Sequence, residues 1–459
     1  MLTYALKKSP GVPLYEALYR CIREDILSGT LLPGQKLPSQ RALAAHLEVS
    51  KITVEAAYDQ LAAEGYIRSR QRQGYFVERV ERLRPAVPVP TSVEADDWEP
   101  PVDLTGAAPE GFPFSVWSRL QRQVMLDMDK ALLLPLPNQG VAALRTAIAV
   151  HLAQFRGLRV DPGCILVGAG TDFLYNLLIQ LLGRDKVYGV EEPGYSKIRR
   201  IYAAGGVRCV SVGMDGVGVL PEHLGEAQVL HISPSHHFPT GIITPLPRRL
   251  ALLAWAKEVP GRYIIEDDYD SEFRFAAHPM PTMASLDDAG RVIYLNTFSK
   301  TLAPSIRISY MVLPEALMER FRKELGFYSG TVPSFEQYTL ARFLEQGHFE
   351  KHINRMRKAY RTRRNQVLQV LKNCPHAGKF TILEQDAGLH FLLKVDTREA
   401  DDALVARWAR QGIRVRTLGS FYHGPIPRED LHCLVVNYSG IQPEQLPLLE
   451  KALGEMEIL

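Results

Sequence analysis

One lysine, Lys300, stands in the stretch YLNTFSKTLAPSIRISY between Thr297 and Ser299 on one side and Arg307 on the other. A lysine amine attacks an aldehyde only when deprotonated, so a Schiff-base lysine needs a partly buried, electropositive site that lowers its pKa. Hydroxyls and a guanidinium beside it are the groups that grip a phosphate. Two further segments supply what a phosphorylated aldehyde ring would need. VGAGTDFLYNLL reads as strand, glycine-rich turn and helix, which offers the backbone N–H groups of Gly170, Thr171 and Asp172 to a phosphate at the helix N-terminus. YIIEDDYDSEFRF ends an apolar strand in carboxylates followed by Tyr269. A carboxylate there keeps a pyridine nitrogen protonated, and the phenol bonds a ring hydroxyl. Without histidines spaced for coordination, these acids read less well as a metal site. Taken together, the three segments are the set that pyridoxal 5'-phosphate requires.

The runs CILVGAG, KVYGVEE, RCVSVGM, QVLHISP, YIIEDDY and RVIYLNTF alternate with helical stretches, which predicts an α/β domain on a largely parallel sheet. Lys300 then follows a strand at the sheet's carboxyl edge, the ligand side of an open α/β sheet. The front of the chain reads differently. Leu14, Leu18, Cys21, Ile22 and Ile26 recur at helical spacing; QRALAAHLEVSKITVEAAYDQLAAEGYI reads as helix, tight turn, helix; YIRSRQRQGYFVERV reads as a hairpin. Helix, helix-turn-helix and hairpin make a winged helix. Its second turn helix places Ser50, Lys51 and Thr53 toward base edges, Ser39 and Arg41 toward phosphates, and Arg70, Arg72 and Gln73 along the wing. Residues 1 to 84 carry 13 Lys and Arg against 9 Asp and Glu, an excess of +4 against +3 for the whole chain, so the remainder carries −1. The basic front suits double-stranded DNA.

The segment from Glu81 to Pro101 is rich in proline and acids and reads as a linker. The expected division is therefore 1–80, 81–101 and 102–459. Five scattered cysteines without CxxC spacing suggest neither a disulfide framework nor zinc. No run of about 18 apolar residues and no apolar leader appear, so the expectation is a cytoplasmic protein without a membrane partner.

Residues 12 to 78, with LPGQKLPSQRALA and YDQLAAEGYI, resemble the DNA-binding domain of GntR-type transcription regulators. EEPGY, SPSHHFPTG, IEDDYDSEFR, TFSKTLAPSIR and the basic HINRMRKAYRTRRNQVL resemble the aminotransferase-like half of the MocR/GabR subfamily. The resemblance implies a small N-terminal winged helix joined to a pyridoxal-phosphate fold-type I, aminotransferase-like α/β domain. It implies Lys300 as the Schiff-base lysine, Asp267 on the pyridine nitrogen, Tyr269 on the ring hydroxyl, Tyr195 against the ring, and Gly170, Thr171, Thr297, Ser299 and Arg307 around the phosphate. It also implies a homodimer assembled head-to-tail. The arginines of HINRMRKAYRTRRNQVL read as a solvated helix on the large domain.

Two positions depart from working aminotransferases. Phe238 stands where an asparagine precedes PTG, and Val435 stands where an arginine grips the substrate's α-carboxylate. A charged hydrogen bond of that kind contributes roughly 1.5 to 3 kcal/mol. The expectation is a regulator that senses pyridoxal phosphate or an amine effector, without efficient transamination; the alternative is an active aminotransferase carrying a DNA module. Lys197, His236, His237 and Arg416 are the candidate cations for an effector carboxylate.

Overall fold

A computed structural model describes residues 2–4, 13–71, 73–80, 101–106, 111–273, 280–384 and 388–455. Arg72 and residues 81–100 of the expected linker lie outside this set. The chain divides into two compact units, Met1–Asp97 and Trp98–Leu459.

The first unit is built from α1 (Leu14–Ser28), α2 (Gln40–His46), α3 (Lys51–Ala63) and a hairpin of β1 (Ile67–Arg70) and β2 (Gly74–Val77). The helical spacing read in the sequence turns Leu18, Ile22, Leu43, Val54, Tyr58 and Leu61 into one core with Ile67 and Val77 of the hairpin. Serine side chains start both helices of the turn. Ser39 Oγ accepts from Ala42 N at 3.2 Å and Ser50 Oγ from Thr53 N at 3.1 Å, satisfying donors that a helix start leaves open.

Among the described residues, the second unit carries nine strands before residue 313: β3 (Val102–Asp103), β4 (Ile165–Gly168), β5 (Val187–Glu192), β6 (Arg208–Asp215), β7 (Gly218–Val219), β8 (Val229–Ile232), β9 (Tyr263–Asp267), β10 (Val292–Thr297) and β11 (Ser309–Val312). All but β3 form one sheet in the order β4-β11-β10-β9-β8-β5-β6-β7. The inner run from β10 to β6 is parallel, whereas β11 pairs antiparallel with both β10 and β4. Strands covered on both faces read as continuous apolar runs; Ile264 and Ile265, neighbours on β9, enter different apolar clusters. Four antiparallel strands, Phe380–Leu383, His390–Val395, Cys433–Asn437 and Arg416–Thr417 in spatial order, make a second sheet. Among the described residues no helix is long and apolar enough to cross a membrane.

Candidate functional site

The carboxyl ends of β9 and β10 and the turn after β4 bring the chemistry-bearing residues of the large unit together. Lys300 sits on the short helix Phe298–Thr301 that follows β10 at once. Its side chain is solvent-accessible, yet the protein around it lowers its pKa by desolvation, against the pull of the Asp270 and then the Asp267 carboxylates. Asp267 ends β9. Its Oδ2 accepts from Tyr175 Oη at 2.5 Å and lies 3.5 Å from His231 Nε2. Its Oδ1 is buried and has no protein partner. Asp268 is otherwise engaged, with Tyr294 Oη at 2.7 Å and Arg156 Nε at 2.9 Å. Two adjacent strand residues point to opposite faces, so one carboxylate faces the ligand side and the other closes an internal ion pair.

Tyr269 is half-buried, and its phenol pKa is raised well above 10 by burial and then by Asp270 and Asp267. Its Oη lies 3.4 Å from His236 Nδ1, which is also 2.7 Å from Asp270 Oδ2. At the other end, Gly170 caps helix α6 (Thr171–Leu182) with φ +91, a backbone state that favours glycine. A Cβ there would meet Arg307 Nη2 at 2.1 Å, so the guanidinium lies directly on the glycine backbone. Arg307 Nη2 is 3.5 Å from Asp172 Oδ2, and Lys197 Nζ is 2.7 Å from the same oxygen. Ser299 Oγ is buried without a partner. The Thr297 hydroxyl is committed, accepting from Ser299 N at 3.1 Å and Ser309 Oγ at 2.8 Å. Thr297 thus shapes the turn that carries Ser299 and Lys300. Tyr195 precedes helix α7 (Ser196–Ala204), with its ring 5.9 Å from Phe238.

These residues fit pyridoxal phosphate: an orphaned carboxylate oxygen for a protonated ring nitrogen, a protonated phenol for the ring hydroxyl, and a glycine turn with a free hydroxyl and an arginine for the phosphate. The four candidate cations do not gather into one carboxylate site. Lys197 is tied to Asp172 on the phosphate side, whereas Arg416 borders a surface hollow with Asp402, Val405 and Ser420 and stands directly opposite Val435 on the neighbouring strand. His237 is buried, with Nδ1 2.7 Å from Thr240 Oγ1, and burial and the neighbouring His236 depress its pKa to about 3, so it stays neutral. His236 is buried against Gly388 and engaged with Asp270. Tyr175, His231, Asp270 and His390 were not singled out in the sequence. Of these only Tyr175 carries a signal, one helical turn beyond Thr171 on α6.

In the small unit Ser39, Arg41, Ser50, Lys51, Arg70 and Gln73 are exposed, and Thr53 is half-buried behind Ser50. Arg70 stacks its guanidinium 4.6 Å from the Phe76 ring, and Lys51 sits 3.8 Å from Glu55. Ile52, 76 % exposed at the start of α3, adds an apolar tip suited to a thymine methyl group.

Two family profiles divide the chain: "Bacterial regulatory proteins, gntR family" matches residues 14–77 and "Aminotransferase class I and II" residues 102–449. The chain is 36 % identical to the uncharacterized HTH-type transcriptional regulator YdeL of Bacillus subtilis (strain 168), over 92 % of this chain and 93 % of that one. It is 33 % identical to the probable rhizopine catabolism regulatory protein MocR of Rhizobium meliloti, over 96 % and 93 %. Among solved structures, the kynurenine aminotransferase of Pyrococcus horikoshii superposes with a TM-score of 0.65 over 77 % of this chain and 91 % of that one, at 23 % identity. That likeness shows the fold.

Proposed function

Because the chain belongs to the MocR branch of the GntR transcription regulators, we propose that residues 102–459 bind pyridoxal phosphate at Lys300 and that occupancy of this site sets the operator affinity of the winged helix at residues 1–80. The observation that carries this reading is the unpartnered, buried Asp267 Oδ1 at the strand end beside Lys300, with Ser299 Oγ equally unpartnered. A buried polar atom without a partner costs stability, so its retention points to a bound group.

Pyridoxal phosphate supplies an aldehyde that takes an amine and a pyridinium ring that withdraws electrons. The chain does the rest. Lys300 offers an amine whose lowered pKa increases its neutral fraction. Asp267 presents Oδ1 to the ring nitrogen while Tyr175 fixes Oδ2. Tyr269 keeps its proton and donates it in a hydrogen bond to the ring hydroxyl. Gly170, Thr171, Ser299 and Arg307 hold the phosphate, Thr297 sets their turn, and Tyr195 covers the ring. With Phe238 and Val435 in place of the asparagine and arginine of working aminotransferases, the site lacks an α-carboxylate anchor, and sustained turnover of ordinary amino acids is not expected. Ser39, Arg41, Ser50, Lys51, Thr53, Arg70, Arg72 and Gln73 contact the operator. A homodimer, head-to-tail as in the family, supplies two such modules for paired half-sites. A coupling of about 1 to 3 kcal/mol between ligand and operator is enough to regulate.

Adding pyridoxal phosphate to the full chain should produce the visible absorbance of the lysine-bound cofactor, which is absent in Lys300→Ala, and should change the operator gel shift of the wild type alone. Retention of the band in Lys300→Ala would reject the lysine assignment. Multiple turnovers with amino donors, at about 1 per second or faster, would return the protein to the enzymes.

A further inference from the structure

The phosphate end of the site holds a carboxylate among its cations. Asp172 stands in the first turn of α6, right after Gly170 and Thr171, so its backbone N–H belongs to the cradle while its side chain carries a negative charge beside it. Its Oδ2 takes Lys197 Nζ at 2.7 Å and lies 3.5 Å from Arg307 Nη2. The same guanidinium rests on the Gly170 backbone, and Arg307 itself sits at φ +47, where a residue other than glycine is uncommon and is held by its surroundings. Asp172 is half-buried, and Lys197 and Arg307 are exposed. Ion pairs that open to water add little to fold stability, so the consequence of this acid lies in the charge it sets for a ligand. Two cations against one carboxylate leave one net positive charge where there would be two.

Resting on the cofactor reading above, we propose that Asp172 is a built-in competitor for the cofactor's phosphate. It occupies the cations that the phosphate needs and holds the affinity for pyridoxal phosphate below what the glycine turn and Arg307 would otherwise give. The site then loads and empties with the concentration of free cofactor. An incoming phosphate, which carries about −1.5 to −2 charge near pH 7, shares Arg307 with the carboxylate, and Lys197 stays on Asp172 to offset the repulsion between the two anions. No covalent bond changes in this contest. It concerns the phosphate alone, because Lys300, Asp267 and Tyr269 serve the ring and its aldehyde. If Asp172 instead served to aim Arg307 and Lys197 at the phosphate, its removal would weaken binding, so the two roles predict opposite signs.

Pyridoxal, which lacks the phosphate, is the control ligand. Pyridoxal phosphate and pyridoxal are each titrated into the full-length wild type and into Asp172→Asn while the Lys300-dependent visible band is followed. Asp172→Asn should tighten pyridoxal phosphate by about three- to tenfold, the effect of removing one unit charge a few Å away near a protein surface, and leave pyridoxal within about twofold. Lys197→Met, which strips Asp172 of its nearer cation, should weaken pyridoxal phosphate and again spare pyridoxal. Binding of pyridoxal phosphate to Asp172→Asn that is no tighter than to the wild type overturns the inference, and so does an equal gain for pyridoxal. If Asp172→Asn does not fold, Lys197→Met decides: unchanged or tighter binding of pyridoxal phosphate overturns it. A wild type without the band removes the cofactor reading as well, whereas a band that responds with the wrong sign removes the role of Asp172 alone.

Discussion

At the scale of single residues, the acids after β9 separate two kinds of role. Asp267→Asn removes the charge that would face the ring nitrogen but leaves the buried Arg156–Asp268 pair intact, so it should weaken pyridoxal phosphate binding by about tenfold or more, the equivalent of one charged hydrogen bond, with little change in unfolding midpoint. Asp268→Asn should do the reverse, because Arg156 is then left buried beside a neutral amide. Breaking such a pair costs about 3 to 5 kcal/mol, which denaturant unfolding would read. The sequence places both acids at a strand end, and strand alternation tells that they part company, but their partners Tyr175 and Arg156 come from helices about 90 and 110 residues away. No spacing rule reaches that far. A third acid gives a pH signature. Burial pushes Glu191 up to about 8 from an ordinary value near 4.5. A raised folded pKa contributes stability that is complete below pH 4.5 and is lost as pH rises toward 8. Between pH 5 and 8 the wild type should therefore lose a few kcal/mol, at about 1.36 kcal/mol per pKa unit. Glu191→Gln should flatten that slope in unfolding midpoints recorded across the range.

At the scale of elements, the turn from β4 into α6 does in backbone what a side chain would otherwise do. Gly170→Ala introduces a methyl group at a positive φ and onto the Arg307 guanidinium, so the turn must distort or the arginine must leave. Strain of that kind costs of order 1 to 3 kcal/mol. The variant should fold with a lower midpoint and bind pyridoxal phosphate much more weakly, while Gly157→Ala, with open space around its Cβ at a similar positive φ, should lower the midpoint alone. These elements were legible to different degrees. Six strands of the main sheet were readable as β-rich runs: β4, β8 and β10 are buried at every position and so read as continuous apolar text, whereas β6 buries only Val212 and was read from its β-branched residues. Their spatial order was not, and neither was the antiparallel β11 that slots between β10 and β4. The second sheet was missed. One of its strands, Phe380–Leu383, is half exposed, and the others are brought together from segments that no local pattern connects.

At the scale of the whole molecule, the uneven charge is the feature with the clearest consequence. An excess of +4 sits in residues 1 to 84 while the remainder is nearly neutral, so attraction to a polyanion belongs to the small unit. Arg41 and Arg70 are exposed there, and two copies on a paired operator would neutralise about four phosphates. Releasing that many counterions predicts a loss of about a hundredfold in operator affinity between about 50 and about 200 mM salt. Arg41→Ala, as a phosphate contact, should lower affinity on specific and random DNA alike and reduce the salt slope by about one unit per protomer. Lys51→Ala, at the start of α3 where base edges are read, should instead narrow the difference between operator and random DNA, by about 1 to 3 kcal/mol per lost base contact. Fluorescence anisotropy on both DNAs at several salt concentrations distinguishes the two. Equal effects of the two substitutions on operator and random DNA would mean that Lys51 meets phosphate and that the sequence is read elsewhere on α3, where the exposed Ile52 is the next residue to replace.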